Sequence, residues 1–224
     1  SDLNFILLGK IVERITCENL SDYLRDFVFY PLEMYHTGFT PKEDACSIIP
    51  TFSEDCVGVV HDPIARAMGG VCGHAGLFSS ANDLQHFAQM IINKGRYQNT
   101  RFLQRETLDI FFQRDDVLSK STRALGWDTA YNPEDSEIPH QFSAGYYIDA
   151  NAIGHTGYTG TSIWISQKQG LYVILLTNRV FGNPDPTHQA RDRYWRQKIT
   201  SAVWKNLGFT QPNPLFHEAA LRVH

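Results

Sequence analysis

Apolar residues recur with helical spacing near the start of the chain: Leu3, Leu7, Ile11 and Ile15 lie four apart, with Leu8 and Val12 beside them. A helix is therefore expected over residues 3–16. A second is expected from Ser21, which can cap it, to about Phe29, just before Pro31. No period holds over residues 31–79. That stretch carries Pro31, Pro41, Pro50, Pro63 and the glycines between Gly69 and Gly76, so it reads as a long functional loop or as hidden short strands.

Periodicity returns at Ser80. With Asp83, Ser80 forms a variant of the capping box, and Leu84, Phe87, Ala88 and Ile91 make one stripe that Gly95 can stop. Residues 105–113 suggest another helix, burying Leu108, Phe111 and Phe112, and residues 125–127 a short strand. The pattern then changes. Residues 145–149 could be a strand. Residues 159–166 and 171–178 are stronger strands, joined by the hairpin loop Gln167-Lys168-Gln169-Gly170. Apolar residues on both faces of the second imply a sheet covered on both sides. A last helix, capped by Asp185 with Pro186 at its first position, would bury Trp195, Ile199, Ala202 and Val203. Arg191, Arg193, Arg196, Lys198 and Lys205 would form its solvated face.

Composition adds exclusions. Hydrophobic content of 42% and charged content of 20% over 224 residues suit a globular fold with a sizeable core. A net charge of −4 gives no support for a nucleic-acid partner. No apolar run reaches the roughly 18 residues of a membrane span. Cys17, Cys46, Cys56 and Cys72 include no C-x-x-C pair; Cys46 and Cys56 could bridge in an oxidising compartment, against the alternative of free thiols. The chain opens with Ser1 and is at once dense in core residues, so it is expected to be the C-terminal part of a longer protein.

Chemistry concentrates in His155-Thr156-Gly157-Tyr158-Thr159-Gly160. Glycines beside a strand permit close approach by another backbone or a ligand. Free strand N–H groups can receive a developing oxyanion. The Thr156 and Thr159 hydroxyls can hold a carboxylate, and His155 can hold or move a proton. A bulge with a satisfied histidine is the plain alternative.

Four stretches together resemble the serine β-lactamase and penicillin-binding-protein family, in its class C, D-alanyl-D-alanine carboxypeptidase and esterase branch. Residues 1–5 and the helix through Gly9 resemble the tail of a Tyr-x-Asn/Asp motif. Pro31-Leu32-Glu33-Met34 with His36-Thr37-Gly38-Phe39 resembles a "PLGM…TGF" segment. Residues 69–84 resemble a "GG…AGLFSTA-DL" helix entry, and His155-Thr156-Gly157 stands where the family has Lys-Thr-Gly. Leu176-Thr177-Asn178-Arg179 ends the next strand in the same manner.

The resemblance implies an α+β, β-lactamase/transpeptidase-like fold: an antiparallel sheet covered by helices, plus a mainly helical region, truncated at the N-terminus. Residues 1–144 would be the helical region with long active-site loops, and residues 145–224 the C-terminal strands and helix. It also implies acyl-enzyme chemistry on D-alanyl peptides, β-lactams or small esters, without a cofactor, in the periplasm or cell envelope. Tyr158 N–H would be an oxyanion donor, Asp2 the third member of the tyrosine motif, and Thr156, Gly157, Thr159, Asn178 and Arg179 substrate contacts.

Neither Ser-x-x-Lys nor Gly-x-Ser-x-Gly occurs anywhere in the chain, and Tyr97-Gln98-Asn99 matches Tyr-x-Asn only as a string. The nucleophile, its lysine and the tyrosine are therefore expected outside these residues, and this chain alone is expected to be inactive. The alternative is a non-catalytic peptidoglycan- or protein-binding domain of the same fold. Glu33 departs from the family's glycine and His155 from its lysine. His61 could orient substrate, or simply form a turn with Asp62, and His74 reads as a packing residue. A metal site from His61, Asp62, His74 and His155 lacks any H-x-x-x-H-type pair. Exposed core at the truncation would favour self-association or pairing with the missing part.

Overall fold

A computed structural model describes residues 1–42, 47–114, 122–130, 143–182 and 188–211. The chain groups into two compact units, residues 1–87 with 178–184, and residues 88–177 with 185–224.

In the first unit, helix α1 spans Asp2–Thr16, as the spacing requires. It buries only Gly9, whereas Leu3, Leu7, Leu8, Ile11 and Ile15 are exposed. Helix α2, Leu20–Leu24, is capped by Asn19 rather than Ser21: the Asn19 side chain accepts from the Ser21 N–H. It continues as a π-helical turn, Arg25–Phe29. The buried residues Leu32 and Met34 follow. Between them Glu33 sits at φ 59°, in the left-handed region where glycine is at ease. Glutamate carries the strain of that conformation.

The aperiodic stretch hides two strands and a helix. Strand β1, Gly38–Phe39, pairs antiparallel with β2, Leu77–Phe78, and α3, Pro63–Ala67, lies between them in sequence. Helix α4, Ala81–Ile92, opens as expected, with the Asp83 N–H on Ser80 Oγ at 3.1 Å. Asp83 itself is buried. Its carboxylate accepts from His36 N–H and Thr37 Oγ1, both at 2.7 Å, and so fastens the loop to the helix start.

In the second unit, β3, Arg96–Tyr97, and β4, Thr100–Arg101, form a small hairpin ahead of α5, Arg105–Phe112. The main sheet is antiparallel in the order β5-β6-β7-β8, with β5 at Asp128–Thr129, β6 at Ile153–Thr156, β7 at Ser162–Ser166 and β8 at Leu171–Leu175. Residues 125–127 turn into β5 rather than forming a strand. Residues 145–149 do not join the sheet either. They lie on the last helix, α6, His188–Asn206, where Tyr146 N–H donates to Ser201 Oγ and a Cβ on Gly145 would meet Ser201 N at 2.7 Å. Asp185 and Pro186, the expected start of that helix, lie outside the described residues.

The expected face of α6 is corrected too. Trp195 and Ile199 are exposed, while Arg196, Thr200, Ser201 and Trp204 are buried. Trp204 packs with Trp164, Val173, Ile148 and Ala152 to form the core beneath the sheet. The rest of the buried face is polar because it meets backbone carbonyls and amides, and a search for apolar periodicity overlooks such a face. Among the described residues no helix is long and apolar enough to cross a membrane. Cys17, Cys56 and Cys72 carry free thiols; Cys46 lies outside the described residues.

Candidate active-site strand

Strand β6 runs along β7 with Gly154 opposite Trp164, His155 opposite Ile163 and Thr156 opposite Ser162. A Cβ on Gly154 would fall 2.3 Å from the Trp164 ring, so the glycine makes room for the indole. One on Gly157 would meet Thr161 Oγ1 at 2.3 Å. Both glycines thus serve contacts within the protein. After Thr156 the chain turns: Gly157 N–H donates to Thr161 O and Gly160 N–H to Gly157 O. Tyr158 is exposed at the tip, followed by Thr159.

This turn is pinned from behind. The buried Arg196 donates through Nη2 to Gly157 O at 2.7 Å and through Nε to Gly160 O at 3.0 Å. Thr177 Oγ1 donates to Gly160 O as well, at 2.7 Å. Arg196 was expected on a solvated face. A long cation that follows two aromatic residues gives no local sign that its partners are carbonyls far away in sequence.

His155 has a defined role for each ring nitrogen. Nδ1 lies 2.9 Å from the Thr156 carbonyl, so it must carry the proton. Nε2 lies 3.2 Å from Arg123 Nη1, and a guanidinium can only donate, so Nε2 offers its lone pair. The two contacts fix a neutral Nδ1–H tautomer. Positive charge at this place comes from Arg123, which also pairs with Asp128 Oδ1 at 3.0 Å. Asp128 is on β5, in register with Gly154. Burial pushes its carboxyl above the ordinary value, against the pull of Arg123. Arg123 and Asp128 were not singled out in the sequence; only the register of β5 on β6 brings them to His155.

The other expected site residues lie in the first unit. Asn178 commits both amide hydrogens to the carbonyls of Pro50 and Thr51, each at 2.9 Å, and its Oδ1 accepts from Val180 and Phe181 N–H. It shapes this loop and has no amide proton left for a substrate carboxylate. Arg179 is half-buried beside it. His61 packs edge-on against Phe52, with ring centroids 5.7 Å apart. Burial, reinforced by Arg66 and Arg179, holds its pKa below the ordinary histidine value. Asp2 is exposed in the first turn of α1, where its charge complements the helix dipole. Among the described residues no group of three or more His, Cys, Asp or Glu is placed to hold a metal ion.

The family profile described as Beta-lactamase matches residues 1–194. The chain belongs to the serine β-lactamase and penicillin-binding-protein family. It is 35% identical over 199 residues to an N-acetylmuramyl-L-alanine amidase of Bacillus subtilis, covering 80% of this chain and 44% of that protein. A Salmonella typhi protein named as a D-alanyl-D-alanine carboxypeptidase is 32% identical over 201 residues, with the same two coverages. The chain thus spans less than half the length of these relatives. A β-lactamase structure from Mycobacterium bovis shares the fold, with a TM-score of 0.61 at 20% identity over 92% of this chain and 63% of that one. The α+β fold expected from the sequence is the fold of this family.

Proposed function

We propose that the chain is the C-terminal part of a serine hydrolase that forms acyl-enzymes with D-alanyl peptides, β-lactams or small esters in the cell envelope. The observation that carries this reading is the β6 strand end: His155-Thr156-Gly157 in register on β7, followed by a turn clamped by Arg196. In this reading the Tyr158 N–H faces the oxyanion of the tetrahedral intermediate, and Thr156 and Thr159 hold the substrate's polar groups. His155, neutral, accepts a proton or a hydrogen bond at Nε2, while Arg123 supplies the permanent charge that lysine would give. Arg179 and His61 belong to the substrate-binding loops, and Asp2 completes a tyrosine motif. The nucleophilic serine with its lysine and the tyrosine lie outside these 224 residues. Exposed Leu3, Leu7 and Ile11 on α1 support pairing with that part, or self-association.

Fluorescent penicillin tests the proposal. The protein expressed with its upstream coding sequence should take the label covalently, and the 224-residue chain alone should not. Labelling of the isolated chain, seen as an adduct by mass spectrometry, would overturn the assignment of the nucleophile; no labelling and no ester hydrolysis by the longer protein would overturn the enzyme.

A further inference from the structure

The first unit holds a second constellation that the acyl-enzyme reading does not use. Cys72 Sγ lies 3.2 Å from His74 Nδ1, and His74 Nε2 lies 2.9 Å from Asp62 Oδ1. The His74 side chain is only 3% exposed. Asp62 is fixed independently: it caps α3, its Oδ1 accepting from Ala65 N–H at 2.7 Å. An ionised carboxylate at Nε2 requires the proton on that nitrogen. In the neutral ring, Nδ1 then turns its lone pair to the thiol. Met68 Sδ also lies 3.5 Å from the Cys72 sulfur. This is the order of groups that activates a nucleophilic thiol: sulfur, base, and a carboxylate that orients the base.

The thiol also has a place for a reactant. A cleft of about 310 Å³ is lined by Cys72 and His74 together with apolar residues of α1 and α2, among them Leu8, Val12, Leu20 and Leu24. A buried cysteine in an ordinary core would have packed neighbours on every side. Here Cys72 and its base His74 both line an apolar cleft.

We propose that Cys72, with His74 as its base and Asp62 as the orienting group, is a site of covalent modification by small apolar electrophiles. With an alkyl haloacetamide the step balances as follows. The sulfur attacks the methylene carbon, the S–C bond forms as the C–I bond breaks, iodide leaves, and the thiol proton passes to His74 Nδ1. This site is separate from the acyl-enzyme proposal and stands or falls without it.

The test uses the 224-residue chain and two probes, iodoacetamide and N-hexyl iodoacetamide, with rates followed peptide by peptide in a mass spectrometer. The exposed Cys17 is an internal reference. Cys72 is expected to react faster than Cys17 with the hexyl probe, and its advantage over Cys17 to shrink with iodoacetamide. In His74→Gln the rate at Cys72 should fall by about 100-fold, the lower range for losing a general base, with Cys17 unchanged. Asp62→Asn keeps the α3 cap and should give a fall of the same sign. Slower reaction of Cys72 than Cys17 with both probes overturns the proposal, and so does a Cys72 rate that His74→Gln leaves unaltered. The comparison of the two cysteines in the unmutated chain decides the matter even where a variant folds poorly.

Discussion

The molecule contains the same four-residue pattern twice. Gly73-His74-Ala75-Gly76 and Gly154-His155-Thr156-Gly157 share glycines at each end and a histidine in second place. In the first, the histidine side chain is buried and its ring is held by a carboxylate and a thiol. In the second, the ring is half-buried, held by the next residue's carbonyl and by a guanidinium. The four-residue pattern is shared; what distinguishes the two histidines is a partner outside it, Asp62 for His74 and Arg123 for His155.

The comparison can be broken first at the leading glycines. A Cβ at Gly73 would lie 2.0 Å from the Phe5 carbonyl oxygen, and one at Gly154 2.3 Å from the Trp164 ring. Each Gly→Ala change is expected to cost about 3 kcal/mol, the upper range for overpacking, read from chemical denaturation. Comparable stability in either variant would show that its motif has room the structure denies. Next, Arg196→Met should cost about 2 kcal/mol by leaving the Gly157 and Gly160 carbonyls without their cationic donor. It should also speed hydrogen exchange at Gly160 but not around His74.

The histidines themselves come third. His74→Gln is expected to lose about 1.5 kcal/mol, as a buried hydrogen-bonded group does. His155→Gln should stay within about 0.5 kcal/mol in thermal unfolding, as surface changes do. Equal losses would erase the distinction between the two sites. The smallest effect is acid sensitivity. Burial works to raise the Asp62 pKa, but hydrogen bonds from Ala65 N–H and His74 outweigh it and hold it below the ordinary value. The stability this lends is complete above the unfolded carboxyl pKa of about 4 and is lost as pH falls through the lower folded value. A plot of melting temperature against pH should therefore drop less steeply below pH ~4 in Asp62→Asn than in the unmutated chain. A steeper drop would reverse the sign of the coupling.

Much of the fold was legible because apolar periodicity is local. The α1, α4 and α5 helices and the β7–β8 hairpin stand where the pattern put them, with strand ends trimmed. Residues 145–149 misled because the aromatic and β-branched run Tyr146-Tyr147-Ile148 resembles a strand even when it rests on a helix. The face of α6 misled because Arg196, Thr200 and Ser201 are buried for their hydrogen bonds. The site divided in the same way. The candidate residues His155, Thr156 and Gly157 form a contiguous motif. Arg123 and Asp128 lie outside it, since they join His155 only through strand register across some 30 residues of sequence.

The Arg196 clamp reaches further than the turn it holds. The Gly157 carbonyl that accepts its Nη2 belongs to the same peptide group as the Tyr158 N–H. Drawing electron density toward the oxygen leaves that amide hydrogen more positive, as in any chain of cooperative hydrogen bonds. A guanidinium buried behind the strand therefore acts through a single peptide plane on the donor assigned to the oxyanion. In the proposed reaction, that charge would act without touching the substrate.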